Sequence, residues 1–205
     1  MKLYLASANP HKALELQALS DASRAGAGGP VIEVLSAAAV GGMPSVLEDT
    51  GTFVGNARKK AVALRELLPA DGWALADDSG LCVAELGGAP GVESAYFAGP
   101  QGDPRANLEK LAKVMAGVPP ARRVAEFVCV LFLAGPGGQQ VHFEGRCPGR
   151  LALEPRGAGG FGYDPLFIPD GFTVTMAQVP PEVKNRVGHR GRAWAECFGW
   201  LAARG

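Results

Sequence analysis

Apolar residues cluster over positions 2–6, give way to the polar turn Ser7-Ala8-Asn9-Pro10, and then recur through Ala13, Leu14, Leu16 and Leu19. The pattern predicts a short strand, a loop and an amphipathic helix. Pro10 suits a first helical turn, where its missing N–H is not needed, and Asn9 before it is a competent N-cap. Residues 21–30 are rich in Gly, Ala and Ser and predict a mobile surface loop, followed by a strand near 31–35. Phe53, Ala57, Ala61, Leu64 and Leu68 predict a second helix over 52–68, stopped by Pro69. Two apolar strands, 73–76 and 81–86, are expected to flank Asp77-Asp78-Ser79-Gly80 and set two carboxylates at a strand edge. Residues 107–115 read as helix, and 124–134 with 141–153 as a long hairpin across Gly135-Pro136-Gly137-Gly138. A final helix is expected over 191–203, with Trp194, Phe198 and Leu201 as its buried stripe.

A chain of 205 residues without repeats or a linker is read as one α/β domain over 1–205, or two lobes sharing one sheet. Its 20 basic and 20 acidic residues balance. No field of one sign is therefore available to hold a nucleic-acid backbone, whereas a small anion needs only a few local donors. Cys82, Cys129, Cys147 and Cys197 form no CxxC pair, and the opening Met-Lys-Leu-Tyr-Leu lacks the long apolar region of a signal peptide. The longest apolar run, 127–134, is far short of the roughly 20 residues that span a bilayer. A soluble cytoplasmic protein with reduced cysteines is expected.

Candidate chemistry gathers at four places. Ser7, Asn9 and Lys12 sit where a strand enters a helix, so side chains and the positive end of the helix dipole converge in an anion site, or form an ordinary capped helix with a solvated lysine. Glu48 and Asp49 precede a Thr-Gly turn into the second helix, and with Asp77 and Asp78 they supply hard oxygen ligands suited to Mg²⁺ beside phosphate. The plain alternative is helix capping and solvated charge. Lys59 and Lys60 lie on the same helix, within reach of that centre or on the surface. Residues 157–162 satisfy GxGxxG, but Tyr163-Asp164-Pro165 follows where a dinucleotide fold needs a helix. These glycines are read instead as an approach to a ligand, with Phe161 or Tyr163 to stack on a flat ring and Asp164 to bond it. Lys184, His189, Arg190 and Arg192 offer donors for phosphate or carbonyl oxygen from an expected loop, which also reads as plain basic surface.

The ordered set Ser7-x-Asn9-x-x-Lys12, Glu48-Asp-Thr-Gly, Ala76-Asp-Asp-Ser-Gly-Leu81, Gly88-Ala-Pro-Gly91, Phe161-Gly-Tyr-Asp-Pro165 and His189-Arg-Gly191 resembles the inosine triphosphate pyrophosphatase family along nearly the whole chain. The resemblance implies an α/β fold with a long mixed β-sheet and flanking helices, two lobes around a central active-site cleft, and a homodimer. It implies hydrolysis of inosine, deoxyinosine and xanthosine triphosphates to monophosphate and pyrophosphate, which cleanses the nucleotide pool. By that likeness Ser7, Ala8, Asn9, Pro10, His11 and Lys12 cradle phosphate. Glu48 and Asp78 hold Mg²⁺, Asp78 also takes the proton of the attacking water, Ser79 contacts substrate and Lys60 offsets phosphate charge. Phe161, Gly162, Tyr163, Asp164, Lys184, His189 and Arg190 surround the base. Two positions depart from the family: Gly55, where Glu is frequent, and Gly188, where Ser is.

On this reading adenosine triphosphate is a poor substrate. Arg190 only donates, and adenine carries an amino group where inosine carries a carbonyl. Activity is expected to rise above neutral pH. A related pyrophosphatase acting on modified pyrimidine nucleotides would share the metal chemistry with another base pocket, and a nucleotide-binding regulator without turnover would have no use for the paired Glu48 and Asp78.

Overall fold

The computed structural model describes residues 1–7 and 9–204 of the chain. Six strands, β1 (Lys2–Leu5), β2 (Glu33–Ser36), β3 (Trp73–Val83), β4 (Val124–Ala134), β5 (Gln140–Leu151) and β6 (Phe167–Pro169), form one sheet in the order β2-β1-β3-β4-β5-β6. Both neighbours of β1 are parallel to it, with Leu3 opposite Val34 and Leu5 opposite Leu75, while β5 and β6 are antiparallel, with Leu151 opposite Phe167. The sheet is mixed. Helices α1 (Pro10–Ala27), α2 (Phe53–Arg65), α3 (Pro104–Val114), α4 (Pro181–Val187) and α5 (His189–Ala202) complete an α/β fold, the class read from the sequence.

The chain divides into two compact units. The first comprises Met1–Asp78, Cys129–Gly145 and Arg190–Gly205, the second Ser79–Val128 and Arg146–His189. In the first unit, strand alternation sorts side chains into two cores. Leu3, Leu5, Leu75, Cys129, Leu131 and Leu133 pack with Leu16 and Leu19 of α1 and with Trp194, Cys197, Phe198 and Leu201 of α5. Ala74, Ala76, Val130 and Phe132 pack instead with Ala57, Ala61 and Leu64 of α2. The small residues of this second core let a helix that also buries Asn56 and Lys60 lie close to the strands.

The second unit buries Leu81, Val83, Phe127, Phe167, Leu166 and Met176 with Leu111 and Met115 at the end of α3. Helix α3 starts at Pro104 because Asp103 accepts from the backbone N–H groups of Arg105 and Ala106. Arg123, almost fully buried, fans its guanidinium over four main-chain carbonyls: Met115 (2.6 Å), Val118 (3.2 Å), Leu151 (3.0 Å) and Ala152 (2.6 Å).

Several expectations need correction. Helix α1 continues through most of the stretch read as a mobile loop, since residues 21–25 hold no breaker and only Gly28, at φ 69°, ends it. Its register differs too, because Leu14 is exposed while Leu16 and Leu19 are buried. The two strands expected around Asp77 and Asp78 are one strand of 11 residues. The expected donor loop is helical: Lys184 lies in α4, His189 opens α5, and only Gly188 separates them. Strand β6 was not anticipated; three residues carry too little pattern to read.

Replacing Arg123 with Met should cost at least about 3 kcal/mol, since it strands buried carbonyls that share a charged donor. Urea denaturation followed by circular dichroism checks this; a loss below about 1 kcal/mol would contradict the role given to the guanidinium.

Candidate active site

In the first unit, β1 delivers the chain into α1 through a turn closed by its own side chains. Ser7 Oγ accepts from the Asn9 N–H (3.1 Å), and Asn9 Oδ1 accepts from the His11 N–H (2.9 Å), capping the helix that Pro10 opens. Ala8 lies outside the described residues. His11 is exposed, and Lys12 turns its ammonium onto Asp77, at 2.5 Å from Oδ1 and 3.3 Å from the main-chain oxygen.

Asp77 and Asp78 are consecutive in β3, so they project from opposite faces of the sheet. Asp77, fully buried, accepts Lys12 on one oxygen and, on the other, Arg190 Nε (2.6 Å) and the Cys129 thiol (3.5 Å). Arg190 Nη1 in turn donates to Glu15 of α1 (2.6 Å). Burial alone pushes the Asp77 carboxyl up, but Arg190 and Lys12 outweigh it and hold Asp77 well below the usual carboxylate range. The sequence grouped Arg190 with the base-contacting donors. The structure places two of its nitrogens on carboxylates of the first unit, those of Asp77 and Glu15.

On the other face, Lys60 reaches Asp78 Oδ1 (2.6 Å) and Glu48 Oε2 (2.8 Å), which brings the two acids read as metal ligands to one ammonium. Burial raises the Asp78 carboxyl from 3.8 to about 6 despite the opposing pull of Lys60. The same burial disfavours the Lys60 charge, yet Asp78 and Glu48 hold its pKa above the ordinary lysine value. Asp78 Oδ2 is buried and has no hydrogen-bond partner among the described residues. No group of three or more His, Cys, Asp or Glu side chains gathers among those residues to enclose a metal. A buried bare oxygen beside a half-exposed glutamate nevertheless fits Mg²⁺, which is held by one or two carboxylates and otherwise keeps water and substrate phosphate.

In the second unit, half-buried Ser79 continues β3. The loop of residues 157–162 opens no helix, which bears out the rejection of a dinucleotide fingerprint. It is closed by Asp164, whose Oδ2 accepts from the Phe161 N–H (3.0 Å) and from Lys184 Nζ (2.8 Å). Gly160 makes this possible: at φ 72° a Cβ would stand 2.1 Å from Asp164 Oδ2. The Lys184 ammonium lies 5.1 Å from the centre of the half-buried Phe161 ring. Gly162, at φ 61°, carries the chain into Tyr163, which is buried and donates to the Ser94 carbonyl (2.8 Å), a packing position. His189 stacks on Phe127, with ring centres 4.7 Å apart.

Residues 3–200 match the Ham1 family. The chain belongs to that family. A dITP/XTP pyrophosphatase of Opitutus terrae is 60% identical over 200 residues, 98% of each chain. The Ham1 protein of Staphylococcus aureus superposes with a TM-score of 0.84 at 31% identity over the full length of both chains. A nucleoside-triphosphatase or dITP/XTP pyrophosphatase of Mycobacterium abscessus gives 0.74 at 39% identity, covering 97% of this Ham1 family chain and 99% of its own. These relatives agree with the resemblance read from the motifs.

Sequence reasoning missed Glu15, Asn56, Ser94 and Phe127. Asn56 alone had a readable signal, since it stands one turn before Lys60 on the same helix face.

A raised carboxyl pKa means that the folded state binds the Asp78 proton more tightly than the unfolded chain does. That contribution is complete below about 3.8 and lost as pH rises through about 6. Asp78→Asn should therefore stabilise the metal-free protein at pH 7–8, by on the order of 1–3 kcal/mol, with the gain vanishing toward pH 4. Thermal melts in chelator across that range measure it; a variant less stable than wild type at pH 8 would show that Lys60 needs the Asp78 charge.

Proposed function

We propose that this Ham1 family chain hydrolyses non-standard purine nucleoside triphosphates, namely ITP, dITP and XTP, to the monophosphate and pyrophosphate, and so cleanses the nucleotide pool. The observation that carries the chemistry is the bare, buried Asp78 Oδ2 beside Glu48. The names of the relatives support the substrate class. Mg²⁺ is the proposed cofactor, held by Glu48 and Asp78; when bound it offsets phosphate charge and polarises the attacking water.

Each residue has a physical part. The start of α1, with Ser7, Asn9 and His11, lends the positive end of its dipole to phosphate, and Lys12 adds a charge steadied by Asp77. Lys60 neutralises the carboxylate pair and then phosphate. Asp78 takes the proton from water: beside Lys60 and a bound dication its carboxylate is held ionised at neutral pH and is free to accept one.

Base choice rests on the second unit. Asp164 and Lys184 set an acceptor beside a donor. Hypoxanthine and xanthine present N1–H next to a carbonyl at position 6, which complements that pair, whereas adenine presents a bare N1 next to an amino group. Mispairing of this kind is worth up to about 10⁴-fold. Phe161 and His189 supply flat faces for the ring. Two nitrogens of Arg190 are committed to Asp77 and Glu15, so Lys184 replaces it in this account as the donor to the carbonyl. The family resemblance supports a homodimer. A cytoplasmic setting suits the four free cysteines. Among the described residues no helix is long and apolar enough to cross a membrane.

Protein incubated with Mg²⁺ and, separately, inosine, xanthosine, guanosine and adenosine triphosphates should release pyrophosphate from the first two. Single phosphate, or turnover of none, would overturn the proposal. Asp78→Asn should abolish turnover while keeping nucleotide affinity, which separates an enzyme from a pure binder. Lys184→Ala should narrow the preference for inosine over adenosine triphosphate by about tenfold or more; an unchanged ratio would remove Lys184 from base selection.

A further inference from the structure

Glu48 does not lie on a helix or strand; it belongs to an exposed segment, residues 47–52, that enters α2. A loop carboxylate makes a metal ligand only if something holds the loop. Three side chains of α2, Asn56, Lys59 and Lys60, stand at helical spacing on one face and each grips this segment. Lys60 takes the Glu48 carboxylate (2.8 Å). Lys59 takes the Leu47 carbonyl (3.2 Å) and the Asp49 carboxylate. Asn56, buried, accepts on Oδ1 both the Thr50 N–H (3.2 Å) and the Thr50 hydroxyl (2.8 Å).

These grips differ in what a divalent cation does to them. A dication held by Glu48 and Asp78 would repel the Lys60 ammonium that shares these two carboxylates, so Lys60 is a poor support for Glu48 once the metal binds. The Lys59 pair is exposed, screened by salt and worth little. The Asn56 bonds are neutral, so they are indifferent to charge arriving nearby. Gly55 supplies the room, since a Cβ there would stand 2.3 Å from Thr50 Oγ1 and 2.7 Å from Thr50 Cβ.

We propose that Asn56, acting through Thr50, is the positioning residue that holds Glu48 at the metal site. The inference rests on the reading of Glu48 and Asp78 as the ligands of Mg²⁺.

The test uses full-length protein with α,β-methylene inosine triphosphate, titrated with Mn²⁺ and followed by electron paramagnetic resonance, alongside the Mg²⁺ dependence of kcat with inosine triphosphate. Asn56→Ala should raise the apparent Mn²⁺ dissociation constant by about tenfold or more, as loss of an outer support does at metal sites, and shift the Mg²⁺ requirement in parallel. Thr50→Ser keeps both bonds and should match wild type. Thr50→Val keeps only the N–H bond and should fall between. Glu48→Gln is the control for the underlying reading: wild-type Mn²⁺ affinity there overturns the ligand assignment itself. Weakened binding in Glu48→Gln beside wild-type binding in Asn56→Ala overturns the positioning role alone. Should Asn56→Ala fail to fold, Thr50→Val decides, and wild-type Mn²⁺ affinity in that variant is the overturning result.

Discussion

Two consecutive carboxylates inside a sheet are the constraint to which the first unit answers. A strand sends Asp77 to one face and Asp78 to the other, and neither face has water enough to hydrate a charge. Each must find cations in the protein or hold on to a proton. The helices respond differently. On the face of α1 and α5, Lys12 and Arg190 overcompensate the cost of burial, and Asp77 stays charged at any ordinary pH. On the face of α2, one lysine is shared between two acids, so Asp78 is left under-neutralised, with one oxygen unbonded. The first arrangement makes a rigid anchor and the second a group prepared to accept a proton or a cation. Adjacent residues of one type thus acquire opposite properties from geometry alone.

The same alternation explains what could and could not be read in advance. Motif spacing located Glu48, Lys60 and Asp78, and the structure does bring these three together; the helix over 52–68 placed Lys60 correctly because its apolar period is strong. Polarity misled over β3. A run of Asp-Asp-Ser-Gly looks like a turn when its neighbours in space are unknown, and only the lysines and arginine arriving from positions 12, 60 and 190 let the strand continue through it. The extra turns of α1 were hidden similarly, since Ala and Ser suit both loops and helices and the decision lay with Gly28. Arg190 was legible as a donor but not its acceptors, because Glu15 is 175 residues distant and sits on an otherwise ordinary amphipathic helix. A buried polar support such as Arg123 carries no pattern that separates it from a surface residue of the same type, whereas Asn56 was marked only by its place one turn before Lys60.

The second unit shows a milder form of the same logic. Its glycine-rich loop has little apolar content to pack; the Gly159 N–H bonds the Ala177 carbonyl (3.1 Å), and the Asp164 carboxylate bonds the loop amide at Phe161 and pairs with Lys184 of α4. Loop and helix are tied at one oxygen, which aligns an aromatic face, an acceptor and a donor with few residues. Tyr163, whose ring the sequence offered for stacking, serves to fasten this loop to the Ser94 carbonyl instead.

The pairing of Asp77 with Arg190 also has a bearing on biosynthesis. Chains emerge from the ribosome from the N-terminus, and β1, α1 and β3 are all made more than a hundred residues before Arg190. During that interval Asp77 has Lys12 as its only partner cation from the final network, and burying it in that state leaves the carboxylate short of the positive charge that overcomes its desolvation. The sheet face carrying Lys12 therefore lacks part of its charge network until α5 is made. The core residues Trp194, Cys197 and Phe198 and the second cation of Asp77 all arrive with the same late-made helix, so packing and charge balance on that face depend on one element.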